Sequence, residues 1–224
     1  MNRERIEIAV VRHGFTANNN EGRFCGSTDY PLSESGREKI VKMLAKHPYP
    51  KVEKLFCSPA ARAVQTAELC FPGMDYTLRD DLREFYFGDF EEKSWDLADS
   101  IPEISYGWNH QLWEFAFPGG ETMADCRDRG ISAFRGIIKY CEENSIKKAA
   151  VVTHSVLMVL ALRQLIKGVP PGCLVRYCPN GMGMDLAVDP GQSEAERPFT
   201  FRGWLPEGVE MPGNESSLYI RDIR

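Results

Sequence analysis

The fold class of this chain is decided near its start, by the stretch Ile6-Glu7-Ile8-Ala9-Val10-Val11-Arg12-His13-Gly14. Ile6 to Val11 is short, mostly apolar and rich in β-branched residues, which predicts a buried strand. The run then changes to a cation, an imidazole and a glycine. In sheets of parallel strands, ligands bind beyond the carboxyl ends of the strands, and a glycine lets the backbone approach them closely. The stretch therefore predicts a buried strand with reactive side chains at its end.

Outward from this segment, apolar strands alternate with amphipathic helices. Further strands are expected at Lys54 to Cys57, within Asp75 to Glu84, at Ala149 to Val152, and at Met184 to Val188 and Phe199 to Phe201 around a polar loop, Asp189 to Pro198. Helices are expected from Leu32-Ser33 to about His47, from an N-cap at Ser58 to about Cys70, from Glu121 to Glu143 and from Ser155 to Lys167. Such alternation predicts an α/β fold, a three-layer αβα sandwich around a mostly parallel sheet.

Two histidines follow predicted strands. His13 comes directly after the first strand, and His154 comes directly after the strand at Ala149 to Val152. Because the carboxyl ends of parallel strands lie at one edge of a sheet, the two imidazoles would meet there if these strands are neighbours. Arg12 would then add a positive charge beside them.

Length and composition restrict the class of protein. The 224 residues fit a single domain over 1–224, and a net charge of −5 argues against a general nucleic-acid binder. No apolar run is long enough for a signal peptide or a membrane span. The seven cysteines are scattered and the four histidines lie far apart, which predicts a reduced, cytoplasmic protein without a metal cluster.

Five blocks carry a family resemblance between residues 6 and 160. They are Arg12-His13-Gly14-x-Thr16 with Asn19 and Arg23-Phe24-x-Gly26, then Ser58-Pro59-x-x-Arg62-Ala63-x-Gln65-Thr66-Ala67, Leu82-Arg83-Glu84-x-x-Phe87-Gly88-x-Phe90-Glu91, Phe117-Pro118-Gly119-Gly120-Glu121 and Val152-Thr153-His154. In content and order this set resembles the histidine phosphatase superfamily, which includes cofactor-dependent phosphoglycerate mutases.

The resemblance implies a role for each matching residue. His13 would be the nucleophile, and Glu84 the general acid and then the general base. Arg12, Arg62 and His154 would hold the phosphoryl oxygens. Substrate contacts are expected from the matching or adjoining positions Asn19, Thr16, Cys25, Gly26 and Ser155, the last of which replaces a glycine that is common in the family. No cofactor and no metal ion are expected for the phosphatase reaction, since the sequence shows no cluster of metal ligands.

Residues 85–117, called the insertion below, contain ten aromatic residues and a single cation, Lys93. The resemblance implies that the insertion arches over the phosphate site. Its rings either form a small core of their own or shape a pocket for an apolar or flat substrate. Trp108 and Trp113 are the residues that we expect to face such a pocket.

Three functions agree with these residues. A phosphatase that hydrolyses a small phosphorylated metabolite through phosphorylated His13 is favoured, because Phe87 to Glu92 is more similar to the phosphatase branch and the insertion holds little positive charge. A cofactor-dependent phosphoglycerate mutase is the alternative. A non-catalytic phospho-ligand-binding domain is disfavoured, since no expected catalytic group is missing. Sugar phosphates, phosphoglycerates, nucleotides and α-ribazole phosphate remain open as substrates, and a homodimer remains open as the assembly.

Overall fold

The strand that starts at Ile6 lies inside a six-stranded sheet in a computed structural model, which describes residues 5–167, 173–175, 178–189, 198–209 and 219–221. The strands are β1 (Ile6–Arg12), β2 (Lys54–Cys57), β3 (Tyr76–Leu78), β4 (Lys148–Thr153), β5 (Cys173–Val175), β6 (Gly183–Val188), β7 (Phe199–Leu205) and β8 (Tyr219–Arg221). The sheet order is β3-β2-β4-β1-β6-β7, while β5 and β8 form a separate antiparallel pair.

Four neighbouring strands of the large sheet, β3, β2, β4 and β1, are parallel, and β6 runs antiparallel to both β1 and β7. The expected mostly parallel sheet is thus confirmed. The order places β1 beside β4, so the strands that precede His13 and His154 are neighbours.

Helices surround this sheet. They are α1 (Ala17–Asn20), α2 (Glu34–Leu44), α3 (Ala61–Cys70), α4 (Trp95–Asp99), α5 (Pro102–Asn109), α6 (Met123–Glu143) and α7 (Ser155–Leu165), with single 3-10 turns at Asp80–Leu82 and Gly88–Phe90. Among the described residues, no helix combines the length and apolar character needed to cross a membrane.

The alternation of side chains along β1 separates two apolar layers. Ile8 and Val10 pack into the layer that α6 and α7 cover, whereas Ala9 and Val11 pack into the layer with residues of α2 and α3. All four side chains are buried. A strand buried on both faces reads as a nearly continuous apolar run, which explains the sequence pattern.

One expectation about local structure needs correction. The N-cap of α3 is Ala60, which makes no side-chain cap, and not Ser58. The hydroxyl of Ser58 instead lies 2.7 Å from the Nε2 atom of His154, a tertiary contact that local sequence could not indicate. The region Asp75 to Glu84 holds only the three-residue strand β3 before a 3-10 turn. Most of the polar loop expected at Asp189 to Pro198 lies outside the described residues.

Candidate active site

The two histidines that follow β1 and β4 meet at one edge of the sheet. Arg12 lies opposite Thr153 in the parallel register of these strands. The backbone N–H of His13 donates to the carbonyl oxygen of Thr153 at 2.9 Å. The ring centroids of His13 and His154 are 5.1 Å apart. The strands before His13 and His154 are therefore neighbours, which is the condition that the sequence-based expectation required.

The imidazole of His13 is held in one tautomer. Its Nδ1 lies 2.7 Å from the carbonyl oxygen of Gly14. Because a carbonyl oxygen can only accept, Nδ1 carries the proton, and the lone pair of the neutral ring is on Nε2. Burial, followed by the positive charges of Arg62 and Arg12, holds the pKa of His13 well below its usual range. His13 is thus a neutral imidazole with one nitrogen available as a nucleophile.

Gly14 allows the segment after His13 to pack closely against α2. A Cβ atom at this position would lie 2.5 Å from the Cδ1 atom of Ile40 on α2. The N–H of Gly14 donates to the hydroxyl of Thr66 at 2.9 Å, which ties this segment to α3. The glycine that follows the histidine in the sequence is therefore explained by close packing.

Arg62 is buried beneath the loop formed by residues 25–28. Its Nη1 donates to the carbonyl of Thr28 at 3.0 Å, and its Nη2 donates to those of Cys25 and Gly26 at 3.2 and 2.8 Å. Its Nε is also buried and has no partner among the described residues. An unpaired buried N–H is costly, so this atom is suited to receive an oxygen of a bound anion.

His154 is fully buried next to His13. Its Nε2 lies 2.7 Å from the hydroxyl oxygen of Ser58, and its Nδ1 has no partner in the described part of the chain. Burial is the main cause that holds the pKa of His154 well below its usual range, with Arg62 and His13 adding to the effect. A neutral ring with one nitrogen already bound can offer the other nitrogen to a ligand.

Glu84 lies against the N-terminus of α7. Its Oε1 accepts from the backbone N–H groups of Phe85 at 3.0 Å and Leu157 at 3.1 Å, and its Oε2 accepts from Val156 at 3.3 Å. Burial raises the pKa of Glu84, and these N–H groups together with Arg62 oppose that change. A carboxyl group with a raised pKa holds its proton more readily, which suits a group that gives and takes a proton during a reaction.

Asn19 is positioned by a capping box at the start of α1. Its Oδ1 accepts from the backbone N–H and hydroxyl of Thr16, each at 3.2 Å, and from Nδ2 of Asn180 at 3.3 Å. Because the amide oxygen is occupied in this way, the amide NH₂ of Asn19 is the part suited to bind an anion. Asn180 also donates to the carbonyls of His13 and Gly14. Asn180 therefore helps to position both Asn19 and the segment that follows β1.

A cavity of about 400 Å³ brings these groups together. The sheet edge and the segments beside it contribute residues that bind or react, and the insertion contributes mainly rings and amides. The lining residues are Arg12, His13, Asn19, Arg23, Phe24, Cys25, Glu84, Phe87, Trp95, Trp108, Asn109, Gln111, Ser155 and Val156. Arg62 and His154 are fully buried and are not among these lining residues.

The other expected substrate contacts divide into two groups. Cys25 and Ser155 line the cavity, whereas Thr16 and Gly26 are not among its lining residues. Thr16 is buried and caps α1, and the carbonyl of Gly26 accepts from Arg62. The thiol of Cys25 donates to the carbonyl of Thr28, and burial raises its pKa, so the thiol stays protonated.

Most rings of the insertion pack into the apolar layer that α6 and α7 cover, together with residues of β1. Phe85, Phe87, Phe90 and Phe117 are buried and pack around Phe24, with neighbouring ring centroids about 5 to 6 Å apart. The rings thus serve mainly as core, as in the first of the two interpretations that the sequence left open, but this core is continuous with the main core of the molecule and does not belong to the insertion alone. The core holds the insertion in place beside the cavity.

The two tryptophans expected in the pocket have different positions. Trp108 packs on this core and lines the cavity. Trp113 does not line it; its ring lies between Arg127 and Arg163, whose guanidinium carbons are 4.6 and 5.3 Å from the ring centroid. The expectation for Trp113 is therefore wrong, because cation–π contacts with α6 and α7 direct the ring away from the site.

Ser58, which contacts His154, and three residues that line the cavity could not be identified as site residues from sequence. Ser58 was assigned to a helix cap, and Trp95, Asn109 and Gln111 had no motif to mark them. One feature could have drawn attention to Gln111: it is a large polar residue directly after a short helix, a position where glycine is usual. In the described part of the chain, no group of three or more His, Cys, Asp or Glu side chains is arranged to hold a metal ion.

Comparisons with known proteins agree with this geometry. The family model described as the histidine phosphatase superfamily (branch 1) matches residues 8–195. "Probable phosphoglycerate mutase GpmB" from Salmonella choleraesuis (strain SC-B67) is 31% identical over 130 residues, which are 55% of this chain and 59% of the relative. The chain thus spans about three fifths of the length of such curated relatives.

Solved structures extend the comparison. TTHB049 from Thermus thermophilus is 30% identical with a TM-score of 0.62, over 84% of this chain and 95% of that protein. A protein described as mycobacterial hydrolase 1 is 23% identical with a TM-score of 0.71, over 90% of this chain and 98% of that protein. At this identity, the second similarity shows the fold alone.

Proposed function

Because the chain belongs to the histidine phosphatase superfamily, we propose that it is a phosphomonoesterase that works through a phosphohistidine at His13. One observation carries the proposal. His13 presents a free Nε2 in the same cavity as Glu84, with Arg12, Arg62 and His154 beside it. This arrangement combines a nucleophile, a proton donor and a set of donors for phosphoryl oxygens.

The first half-reaction transfers the phosphoryl group to the enzyme. The lone pair of His13 Nε2 attacks phosphorus, and the bond from phosphorus to the ester oxygen breaks. Glu84, in its protonated form, gives its proton to that oxygen, so the leaving group departs as an alcohol. Arg12, Arg62 Nε and His154 Nδ1 are placed to donate to the phosphoryl oxygens and to stabilise their charge.

The second half-reaction returns the enzyme to its starting state. Glu84, now a carboxylate, takes a proton from a water molecule, whose oxygen attacks phosphorus. The P–N bond breaks, the electron pair returns to Nε2, and inorganic phosphate leaves. The hydrogen bond from Nδ1 to Gly14 keeps the ring in place through both steps. One residue can serve as acid and then as base because the first step leaves it deprotonated.

The test is hydrolysis of p-nitrophenyl phosphate in excess EDTA. We expect turnover, inhibition by vanadate as a mimic of pentacoordinate phosphorus, and an acid-labile phosphoenzyme. His13→Ala should abolish both turnover and the phosphoenzyme. His110→Ala is the matched control, because His110 is exposed and bonds only the carbonyl of Tyr106 among its described contacts. Full activity of His13→Ala would refute the assignment.

A cofactor-dependent mutase is the second candidate, because the Salmonella relatives carry that name. It would use the same phosphorylated His13 but return the group to a phosphoglycerate. Arg23 lines the cavity and supplies a further cation, yet it is already bound to Glu21 at 2.9 Å and to the carbonyl of Glu92. Interconversion of 3- and 2-phosphoglycerate in the presence of 2,3-bisphosphoglycerate, faster than release of phosphate, would favour the mutase.

A further inference from the structure

Gln111 occupies a backbone position that does not suit it. The helix α5 ends at Asn109, His110 caps it, and the next residue, Gln111, has a φ of 48°. Its N–H donates to the carbonyl of Trp108 at 3.1 Å, which closes the helix end. Glycine is the usual residue here, because a Cβ atom makes left-handed backbone unfavourable. The turn itself therefore gives no reason for a glutamine.

The side chain of Gln111 carries a second cost. Only 6% of the residue is exposed. Its Oε1 is buried and has no hydrogen-bond partner among the described residues. Buried side-chain oxygens in folded proteins are nearly always paired, and an unpaired one is destabilising. Local strain and an unpaired polar atom at the same residue are features that concentrate where a ligand binds.

Gln111 also lines the cavity, on the side that the insertion builds. The residues that would bind the phosphoryl group lie outside the insertion: Arg12 ends β1, His154 follows β4 and Arg62 lies on α3. A group on the insertion side therefore adjoins the part of the substrate that leaves as an alcohol. Trp108, three residues earlier, lines the same wall.

We propose that Gln111 determines specificity by accepting, at Oε1, a hydrogen bond from a hydroxyl group on the leaving-alcohol part of the substrate. The preferred substrate is then the phosphate monoester of a hydroxylated ring, with the ring beside Trp108 and a hydroxyl on Gln111. A neutral amide suits this place, because a carboxylate would repel the phosphoryl charge and an alkyl group could not bind the hydroxyl. This inference rests on the proposed phosphatase function.

Matched esters that differ by one hydroxyl test the proposal. They are adenosine 5′-monophosphate with its 2′-deoxy and 3′-deoxy forms, and glucose 6-phosphate with 1,5-anhydroglucitol 6-phosphate. p-Nitrophenyl phosphate, which has no hydroxyl on its leaving group, is the reference. For at least one pair, the hydroxylated ester should have a kcat/KM about tenfold or more above that of its partner, as expected for a buried acceptor left unpaired by the poorer substrate.

Two variants separate a role in recognition from a role in folding. Gln111→Leu removes the acceptor but keeps the bulk, and Gln111→Gly also removes the backbone strain. In both variants, the ratio of kcat/KM between the two esters of the responsive pair should fall to about twofold or less. The cause should be a loss of about tenfold or more in kcat/KM for the hydroxylated ester, measured relative to p-nitrophenyl phosphate. Gln111→Gly should have a Tm at least equal to that of the parent. Leu112→Ala, at an exposed neighbour, is the control and should keep the preference.

The outcomes are distinguishable. Absence of a hydroxyl preference in the parent, or a preference that survives in Gln111→Gly, overturns the role of Gln111. So does an equal loss on all esters accompanied by a lower Tm in both variants. If the parent hydrolyses no ester, including p-nitrophenyl phosphate, the proposed phosphatase function fails first.

Discussion

Two opposite effects act on the pKa of Glu84. Burial raises its pKa, while three backbone N–H groups and Arg62 favour its charged form. The donors at the N-terminus of α7 are fixed by the helix, so the carboxylate formed after proton transfer is already solvated by the protein. A group balanced in this way can change its charge twice in one catalytic cycle without rearrangement of its surroundings.

We expect Glu84→Gln to reduce hydrolysis of alkyl phosphates much more than hydrolysis of p-nitrophenyl phosphate. Nitrophenolate is a good leaving group and needs little protonation, whereas an alkoxide does need it. The additional loss on the alkyl ester should be about 10²- to 10⁴-fold, the usual contribution of a general acid. Single-turnover phosphorylation rates for the two esters provide the measurement. Equal losses would assign Glu84 to positioning instead.

Ser58 is a positioning residue in this site. If Nδ1 of His154 donates to a phosphoryl oxygen, the neutral ring must accept at Nε2, and the hydroxyl of Ser58 must be the donor. We expect Ser58→Ala to lower kcat by about tenfold to a hundredfold, the effect of losing one buried hydrogen bond of about 1–3 kcal/mol.

Nitrogen NMR shifts of His154 distinguish this role from a merely structural one. The parent should show the Nδ1–H tautomer, and Ser58→Ala should show a mixture of tautomers. Ser58→Thr, which keeps the hydroxyl, should restore the parent signal. An unchanged tautomer in Ser58→Ala would contradict the assignment even if activity fell.

At the scale of elements, one carboxylate joins the insertion to the loop formed by residues 25–28. Glu91 accepts from the backbone N–H groups of Gly26, Ser27 and Thr28, from the hydroxyl of Thr28, and from the N–H of Phe87. The carbonyls of the same loop hold Arg62. Glu91 does not line the cavity, and its connection to Arg62 runs through this loop.

We expect Glu91→Gln to destabilise the protein by about 1–3 kcal/mol and to raise KM more than it lowers kcat. The introduced NH₂ group would face backbone donors, so the loop would lose part of its anchor and Arg62 would lose its fixed position. Glu92→Gln is the matched control, because Glu92 is exposed and its side chain contacts the hydroxyl of Tyr30. Urea unfolding and steady-state kinetics provide the measurements. Equal effects of the two substitutions would contradict the proposed anchor.

At the scale of the whole molecule, burial of two neutral histidines makes stability depend on pH. The pKa values of His13 and His154 lie well below the ordinary histidine value of 6.5 in the folded protein. Below about pH 6.5, the unfolded chain takes up protons that the folded chain does not, so the free energy of unfolding must fall as the pH falls. The limiting slope is about 1.4 kcal/mol per pH unit for each histidine.

His13→Asn should therefore reduce the slope of stability against pH between about pH 6.5 and 5, by up to about 1.4 kcal/mol per pH unit. Urea unfolding at several pH values measures this slope. His110→Asn, at an exposed histidine, is the control. The same slope in the parent and in His13→Asn would show that His13 does not remain neutral on folding.

Much of the fold could be predicted because its signals are local. The strand at Ile6 to Val11, the helix ending at Glu143 and the strand at Lys54 to Cys57 follow from residue spacing and β-branching over a few positions. The motif blocks likewise identified His13, Arg12, Glu84, Asn19 and Cys25, which all line one cavity. Their order along the chain was sufficient to indicate the family.

The sequence by itself determined the alternation of strands and helices, the candidate site residues that follow β1 and β4, and the aromatic content of the insertion. Only the tertiary structure decided that β1 lies beside β4, that Ser58 contacts His154, that Trp113 faces Arg127 and Arg163, and that Gln111 is buried in the cavity wall. The physical reason is the range of the interactions. Backbone conformation follows from neighbouring residues, whereas the direction of a side chain depends on packing partners that are distant in sequence.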